Sequence, residues 1–565
     1  MTGVIQILAD ATPAAGLPAR DKHTAPQSPA FERVPGARAW VRPFVEQWIE
    51  RPRPRRPSSQ ITWKLVPIGP QRNRGFDAIR MDRSAPPSGL LIWLGDGTDE
   101  NIAYDLFAAC RAGWENAGIS HLAICHAAAA VIGFARSISI EARFTSVRVI
   151  ERAAGQRDMT LLRDELDWAD AGFTAVRFDD QGRRFEPVLA LHSPVIAPRA
   201  RLGRRDVVLV TGGARGVGAE CALRLADRTG AALLLTGRSS PQDAAVVATL
   251  RRAKVLGIHC QYLVADTTDR QQLAAAVAVA GEFGPVTALL HAAGINEPMP
   301  FQNLSENALR RAMAAKTIGL RAAIAAAGPR LRRIITFGSI LGRMGLKGQA
   351  HYALANAWQT AIAEEYARAH RICDVLALEW SIWCGEGLRH RPGSLNYLAR
   401  FGVDAITLDD GLAAFERLAI GGAVGTMIVT SRFGPPREVS LEPAALPIDR
   451  LFDEVLVHYP GLELVVETAI LAEHSCTENQ AAFPRPMGPE AMAKVASALT
   501  GRLDAPNVEA VRFKRAIVAP HIGEMRVVIA ALADEDGRVA AFLRAGDDGF
   551  ATDCIEAVFI YRTTS

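Results

Sequence analysis

The chain has no CxxC pair and no disulfide-like cysteine framework: its eight cysteines are dispersed at positions 110, 125, 221, 260, 373, 384, 476 and 554. That spacing argues against a thiolate metal centre or a stapled secreted fold and suits a reducing cytosol. A membrane-spanning run is also missing, since the longest apolar stretch, around His121 to Ala135, is short and carries histidines. The opening MTGVIQILADATPAAG lacks the basic flank of a secretory signal. An excess of one charge is absent as well, because a net charge of +4 over 565 residues gives no footing for nucleic acid. Together these absences predict a soluble cytoplasmic protein with no membrane or nucleic-acid partner and no metal.

What is present is enough chain for several domains. Residues 1–59 are rich in Pro, Ala and Arg and end in ERPRPRRPSS, where proline at alternate positions forbids helix. They are predicted to be a disordered or linker segment. From Gln60 to about residue 200 the pattern alternates: ITWKLVPI, GLLIWLG, HLAIC, SVRVIERA, AVRFDD and EPVLALH read as strands, and ENIAYDLFAACRAGWENAG and AAAAVIGFARSISIEAR as helices. Only GDGTDEN follows the second strand, where a nucleotide-binding half would carry a glycine-rich turn. A folded but cofactor-free α/β half is expected.

A second α/β unit begins at Asp206 and is far more explicit. DVVLV is a buried strand, TGGARGVG a turn and ECALRLADR a helix. The turn runs from Thr211 through Gly212 and Gly216 to Gly218, with Val217 between the last two glycines; such a turn lets backbone N–H groups approach a pyrophosphate at a helix N-terminus. The next strand, AALLLTG, ends at Arg238, where a guanidinium favours the 2′-phosphate of NADPH and an acid would favour NAD. Asp266 ends a third strand in position to meet adenine, and Ala292, Ala293 and Gly294 end a fourth, leaving room for a flat cofactor. The expected fold is a Rossmann-like doubly wound parallel sheet.

The fifth strand, RIITFGS, delivers Ser339; Tyr352 follows thirteen residues later and Asn356 four residues after that. A phenol is a feeble acid at neutral pH unless its surroundings lower its pKa, so this spacing alone leaves ordinary packing and carbonyl chemistry both open. Lys316 stands upstream in AAKTIGL. The sequence resembles a ketoreductase domain of a type I polyketide synthase, in the short-chain dehydrogenase/reductase superfamily, a group similar to this chain in exchanging the superfamily's usual lysine four residues after the tyrosine for an asparagine, here Asn356, with the lysine upstream, here Lys316.

The resemblance implies that Tyr352 donates the proton, Ser339 hydrogen-bonds the carbonyl, Lys316 lowers the Tyr352 pKa and Asn356 holds a proton relay. It also implies that residues 60–200 are a truncated Rossmann structural subdomain and residues 201–434 the catalytic, NADPH-binding one. TGGARGVGAECALRLA, AGINEP and GRMGLKGQAHYALANAW are most similar to iterative, enediyne-type synthases. Two stereochemical marks of the family are absent: INEPM replaces Leu-Asp-Asp after HAAG, and Met344 stands where a tryptophan would. For Trp383, a place near the acyl entrance and ordinary core packing remain equally open.

Residues 435–565 read as one strand, VHYPGLELVVETAIL, a helix, GPEAMAKVASALTG, and several further strands. They resemble one α+β hotdog of a polyketide synthase dehydratase. His474 is not followed by glycine as the dehydratase motif requires, and Pro484 lies ten residues on instead of nine. An inactive hotdog is expected, its bare sheet edge suggesting a homodimer. The implied function is NADPH-dependent reduction of a β-ketoacyl thioester on an acyl carrier protein, with other synthase subunits as partners. A non-catalytic piece of a larger synthase is the alternative.

Overall fold

In this computed structural model the residues described are 38–52, 61–69, 86–127, 131–152, 160–168, 170–192, 202–279, 283–384, 403–433, 440–441, 452–471, 488–502, 505–515, 517 and 524–561. His474 and Pro484 lie outside them.

The first departure from the sequence reading comes at once. Arg42–Glu50, assigned above to a linker, is a strand, β1. Its apolar side chains face two ways: Phe44 is buried beside Phe433, while Trp48 lies under the Arg177 guanidinium. The strand was hidden because its partners are supplied from residues more than a hundred positions away and its flanks are rich in proline and arginine.

After β1 the predicted strands of the first half form where expected. They are β2 (Trp63–Ile68), β3 (Gly89–Leu94), β4 (His121–His126), β5 (Ser146–Glu151), β6 (Gly172–Phe178) and β7 (Arg184–Leu191). β2 to β6 run parallel in register, and every residue of β3 is buried, as befits a strand covered on both faces. Helix α1 (Glu100–Glu115) starts on an Asp99 cap and α2 (Ile132–Ile140) follows β4. The GDGT turn after β3 is engaged by the other half of the molecule: the Thr98 carbonyl accepts from the Trp358 indole at 3.0 Å and from Arg321 at 2.8 Å.

The second half contains β8 (Val207–Thr211), β9 (Ala232–Gly237), β10 (Cys260–Val264), β11 (Val286–His291), β12 (Arg333–Ser339), β13 (Asp374–Trp380) and β14 (Gly425–Thr430). In space their order is β10-β9-β8-β11-β12-β13-β14, all parallel, so the chain reverses direction of growth between β8 and β11. That is the switch point at which α/β sheets bind ligands. β1 pairs antiparallel with β14 on one side and β7 on the other, fusing both halves into a single 15-stranded sheet. A two-residue strand, β15 (Ser440–Leu441), also joins this sheet by pairing with β7, so the large sheet reaches past residue 435.

The C-terminal region is a six-stranded antiparallel sheet ordered β16-β17-β19-β20-β21-β18. The strands are β16 (Glu454–Tyr459), β17 (Glu463–Leu471), β18 (Asn507–Phe513), β19 (Glu524–Ala533), β20 (Val539–Ala545) and β21 (Asp553–Ile560). VHYPGLELVVETAIL, read above as one strand, is thus a hairpin, turned at Pro460 and at Gly461 with φ +69°. Helix Pro489–Thr500 packs its buried face, including Met492, Val495 and Leu499, on one side of this sheet. Glu463, fully buried, docks the sheet on the rest of the chain by accepting from the Trp40 indole at 2.9 Å and from Arg432.

Candidate active site

At the switch point, the turn between β8 and helix α3 (Gly216–Thr229) can only be made by small residues. Gly212 has φ +70°, and a Cβ there would sit 2.8 Å from the Ala293 Cα. A Cβ on Gly218 would meet the Ala292 Cβ at 2.9 Å. Gly216, at φ +64°, faces open space beyond the helix N-terminus. Thr211, Gly212, Gly216, Val217, Gly218, Ala292, Ala293 and Gly294 are therefore gathered at the C-terminal ends of β8 and β11, an open backbone cradle that suits a pyrophosphate.

Arg238 is exposed immediately after β9, on the same edge of the sheet. Asp266, just past β10, is half-buried and uses one carboxylate oxygen locally, accepting from the Thr268 amide at 2.9 Å and its hydroxyl at 2.8 Å. These side chains fit a dinucleotide carrying a 2′-phosphate.

Ser339 ends β12, and Tyr352 and Asn356 lie on helix α5 (Ala350–Ala369), preceded by α4 (Glu306–Lys316), which supplies Lys316. All four side chains are buried. Burial raises the Tyr352 pKa, and hydrogen bonding by Asn356 and Ser339 acts against it. The Asn356 amide donates to the Tyr352 carbonyl at 2.8 Å, and its Oδ1 is buried with no partner among the described residues. The structure thus brings serine, tyrosine and asparagine together as their spacing suggested.

Lys316 also makes a contact that the sequence did not suggest. Its ammonium donates to the Phe337 carbonyl on β12 at 2.5 Å, and burial pulls its pKa down to about 7. Its stem crosses Gly294 so closely that a Cβ there would be 2.8 Å from the Lys316 Cε.

The sequence reading missed His291. Burial, with Lys316 nearby, pushes its pKa down to about 3, so the ring is neutral. Its Nε2 donates to the Ala315 carbonyl at 3.1 Å, leaving Nδ1 to accept from the Thr211 hydroxyl at 2.7 Å. One ring therefore ties the glycine-rich turn to the residue before Lys316. Its place just before the Ala-Ala-Gly end of β11 was the available signal.

Trp383 resolves the two readings left open for it. It is fully buried, its ring centroid 4.8 Å from that of Trp380, and a Cβ on Gly411 would collide with it at 2.2 Å. Core packing is its role.

Residues 206–385 match the family model described as KR domain. Over that segment the chain is similar to the KR domains of polyketide synthases. Over 236 residues it is 30% identical to polyketide synthase GfsB of Streptomyces halstedii, an alignment covering 40% of this chain and 4% of that synthase. Over 207 residues it is 33% identical to erythronolide synthase EryA3 of Saccharopolyspora erythraea, covering 36% of this chain and 6% of the other. The aligned part thus spans under a tenth of either synthase. Among solved structures, the ketoreductase from the first module of phoslactomycin biosynthesis in Streptomyces sp. HK803 superposes with a TM-score of 0.57 at 23% identity, covering 73% of this chain and 98% of that one. A ketoreductase domain from the bacillaene assembly line gives 0.58 at 20% identity, covering 70% and 98%. At those identities the likeness is one of fold. No helix among the described residues is long and apolar enough to cross a membrane.

Proposed function

We propose that this KR domain reduces a β-ketoacyl thioester, tethered to an acyl carrier protein, to the β-hydroxyacyl thioester. The observation that carries the reading is Tyr352, buried with Ser339 and Asn356 beside the glycine-rich turn at the switch point. The Thr211 to Gly218 turn, Ala292, Ala293 and Gly294 would hold NADPH, with Arg238 on its 2′-phosphate and Asp266 toward its adenine. Bound there, NADPH would supply a hydride to the β-carbon.

The chain's own residues supply the rest. Ser339 donates a hydrogen bond to the substrate carbonyl and steadies the charge that develops on its oxygen. Tyr352 protonates that oxygen. Asn356 keeps the tyrosine's helix turn in place, and its unpaired Oδ1 holds a water of the relay that returns the proton. Lys316, a cation kept close to neutrality by burial, contributes its ammonium to the relay and to the ribose and, when protonated, lowers the phenol pKa.

We place the C-terminal sheet and helix as a hotdog related to dehydratases and without dehydratase activity, with homodimerisation through its sheet edge. The synthase affinity is of the iterative, enediyne-like kind, working with other synthase subunits in antibiotic biosynthesis in the cytoplasm. The test is NADPH oxidation by the full chain with a β-ketoacyl thioester mimic. Turnover should disappear in Tyr352→Phe while NADPH binding persists; NADPH binding by wild type without turnover on any thioester or carrier would favour the non-catalytic reading.

A further inference from the structure

Helix α2 belongs to the first half of the sheet, yet it lies against the loop that joins Ser339 to Tyr352. The approach is close at both ends: a Cβ on Gly133 would fall 2.2 Å from the Leu341 carbonyl oxygen, and one on Gly345 would fall 2.7 Å from the Gly133 oxygen. Along the helix the Ser137 hydroxyl accepts from the Leu346 amide at 3.1 Å, and Arg136 donates to the Arg343 carbonyl at 3.2 Å. These contacts hold the loop's backbone by polar groups, as is needed where a loop is buried.

The last contact reaches further. Glu141, which ends α2, accepts from the Gly348 amide at 3.0 Å and from the Phe301 amide at 3.0 and 2.9 Å. Gly348 precedes Tyr352 by one helical turn, and Phe301 closes the segment that leaves β11 through Gly294 and past Lys316. The two segments also touch directly, Met299 N–H donating to the Gly348 carbonyl at 2.9 Å. Phe301 itself is immobilised, fully buried among Phe107, Trp114 and Phe134. One carboxylate from outside the catalytic half thus joins the approach to the proton donor to the approach from the lysine.

We propose that Glu141 is a positioning residue for the reduction, fixing the Gly294–Phe301 segment and the Gly348 turn as one frame around Tyr352. This rests on the reductase reading above. Neutral glutamine offers the same acceptor oxygen to both amides, whereas leucine offers none. A displacement of the donor by as little as about 1 Å is enough to cost a hundredfold in rate.

The experiment compares wild type, Glu141→Gln and Glu141→Leu in the full chain by steady-state kinetics with a β-ketoacyl thioester mimic and by hydrogen exchange. Glu141→Leu should lower kcat about ten- to hundredfold, with the KM for NADPH within about twofold of wild type, and Glu141→Gln should restore most of it. Amide protection at Phe301 and Gly348 should be lost in Glu141→Leu and kept in Glu141→Gln. Unchanged kcat in Glu141→Leu, or a loss of protection across the whole domain, would overturn the proposal. A wild type with no turnover would instead defeat the reductase reading, and the exchange at these two amides would then decide whether the clamp exists.

Discussion

The Lys316 ammonium donates to the backbone carbonyl of Phe337, two residues before Ser339 on the same strand, at 2.5 Å. A buried lysine that could have been only a charge near the phenol is therefore also a brace on the strand that presents the serine. This arrangement costs stability when the lysine is charged.

The pH dependence follows from a folded pKa of about 7 against an ordinary value of 10.5. Below pH 7 both folded and unfolded states carry the proton, so the buried charge is present at full cost. Between about 7 and 10.5 only the unfolded state keeps it, and stability rises with pH by up to about 1.4 kcal/mol per unit. Lys316→Met removes this term, so its stability advantage over wild type should shrink as pH rises from 7 to 10. Denaturant titrations that stay parallel across that range would contradict the burial argument.

Gly212→Ala places a Cβ at a left-handed backbone position against the Ala293 Cα. Neither backbone can yield without opening β8 from β11. We expect a destabilisation on the order of 1–3 kcal/mol together with a clear loss of NADPH affinity. Calorimetry with and without NADPH checks both, and a variant that binds and melts like wild type would show that the turn has another geometry.

Arg238→Glu exchanges a 2′-phosphate partner for one that prefers a ribose hydroxyl. Arg238 is exposed, so folding should be unaffected. The ratio of kcat/KM for NADPH over NADH should fall by at least about tenfold, equivalent to 1.4 kcal/mol. An unchanged ratio would move 2′-phosphate recognition to a different residue.

Arg343 is held between two carboxylates, donating to Glu379 at 2.6 Å and to Glu46 at 2.5 Å, and Glu379 also accepts from Thr360 at 3.0 Å. Arg343→Met would leave the buried Glu379 and the half-buried Glu46 without their cation. Breaking such a group from one side costs about 3–5 kcal/mol. Equilibrium unfolding should show a loss of this size, relieved in part by adding Glu46→Gln, whereas additive effects would deny the coupling.

Legibility followed locality. β8 to β12 and the first-half strands were readable because each is a short buried run bounded by its own turn residues. Ser339, Tyr352 and Asn356 were readable because a strand end and a helix turn fix their spacing. Lys316 was identifiable as a candidate only through the resemblance, and its bond to Phe337 was not. The β16–β17 hairpin was blurred because Pro460 and Gly461 interrupt a pattern that is apolar on both sides.

The sequence by itself determined the second α/β unit, its glycine turn and the serine–tyrosine–asparagine set, since these arise from contacts within a strand, a turn or a helix. Tertiary structure alone decided the rest. β1 needed edges offered by β7 and β14, His291 needed Thr211 and Ala315, and Glu141 needed two amides some 160 and 207 residues away. Hydrogen bonds of this kind are short-ranged in space but indifferent to distance along the chain, so no local pattern of residues records them.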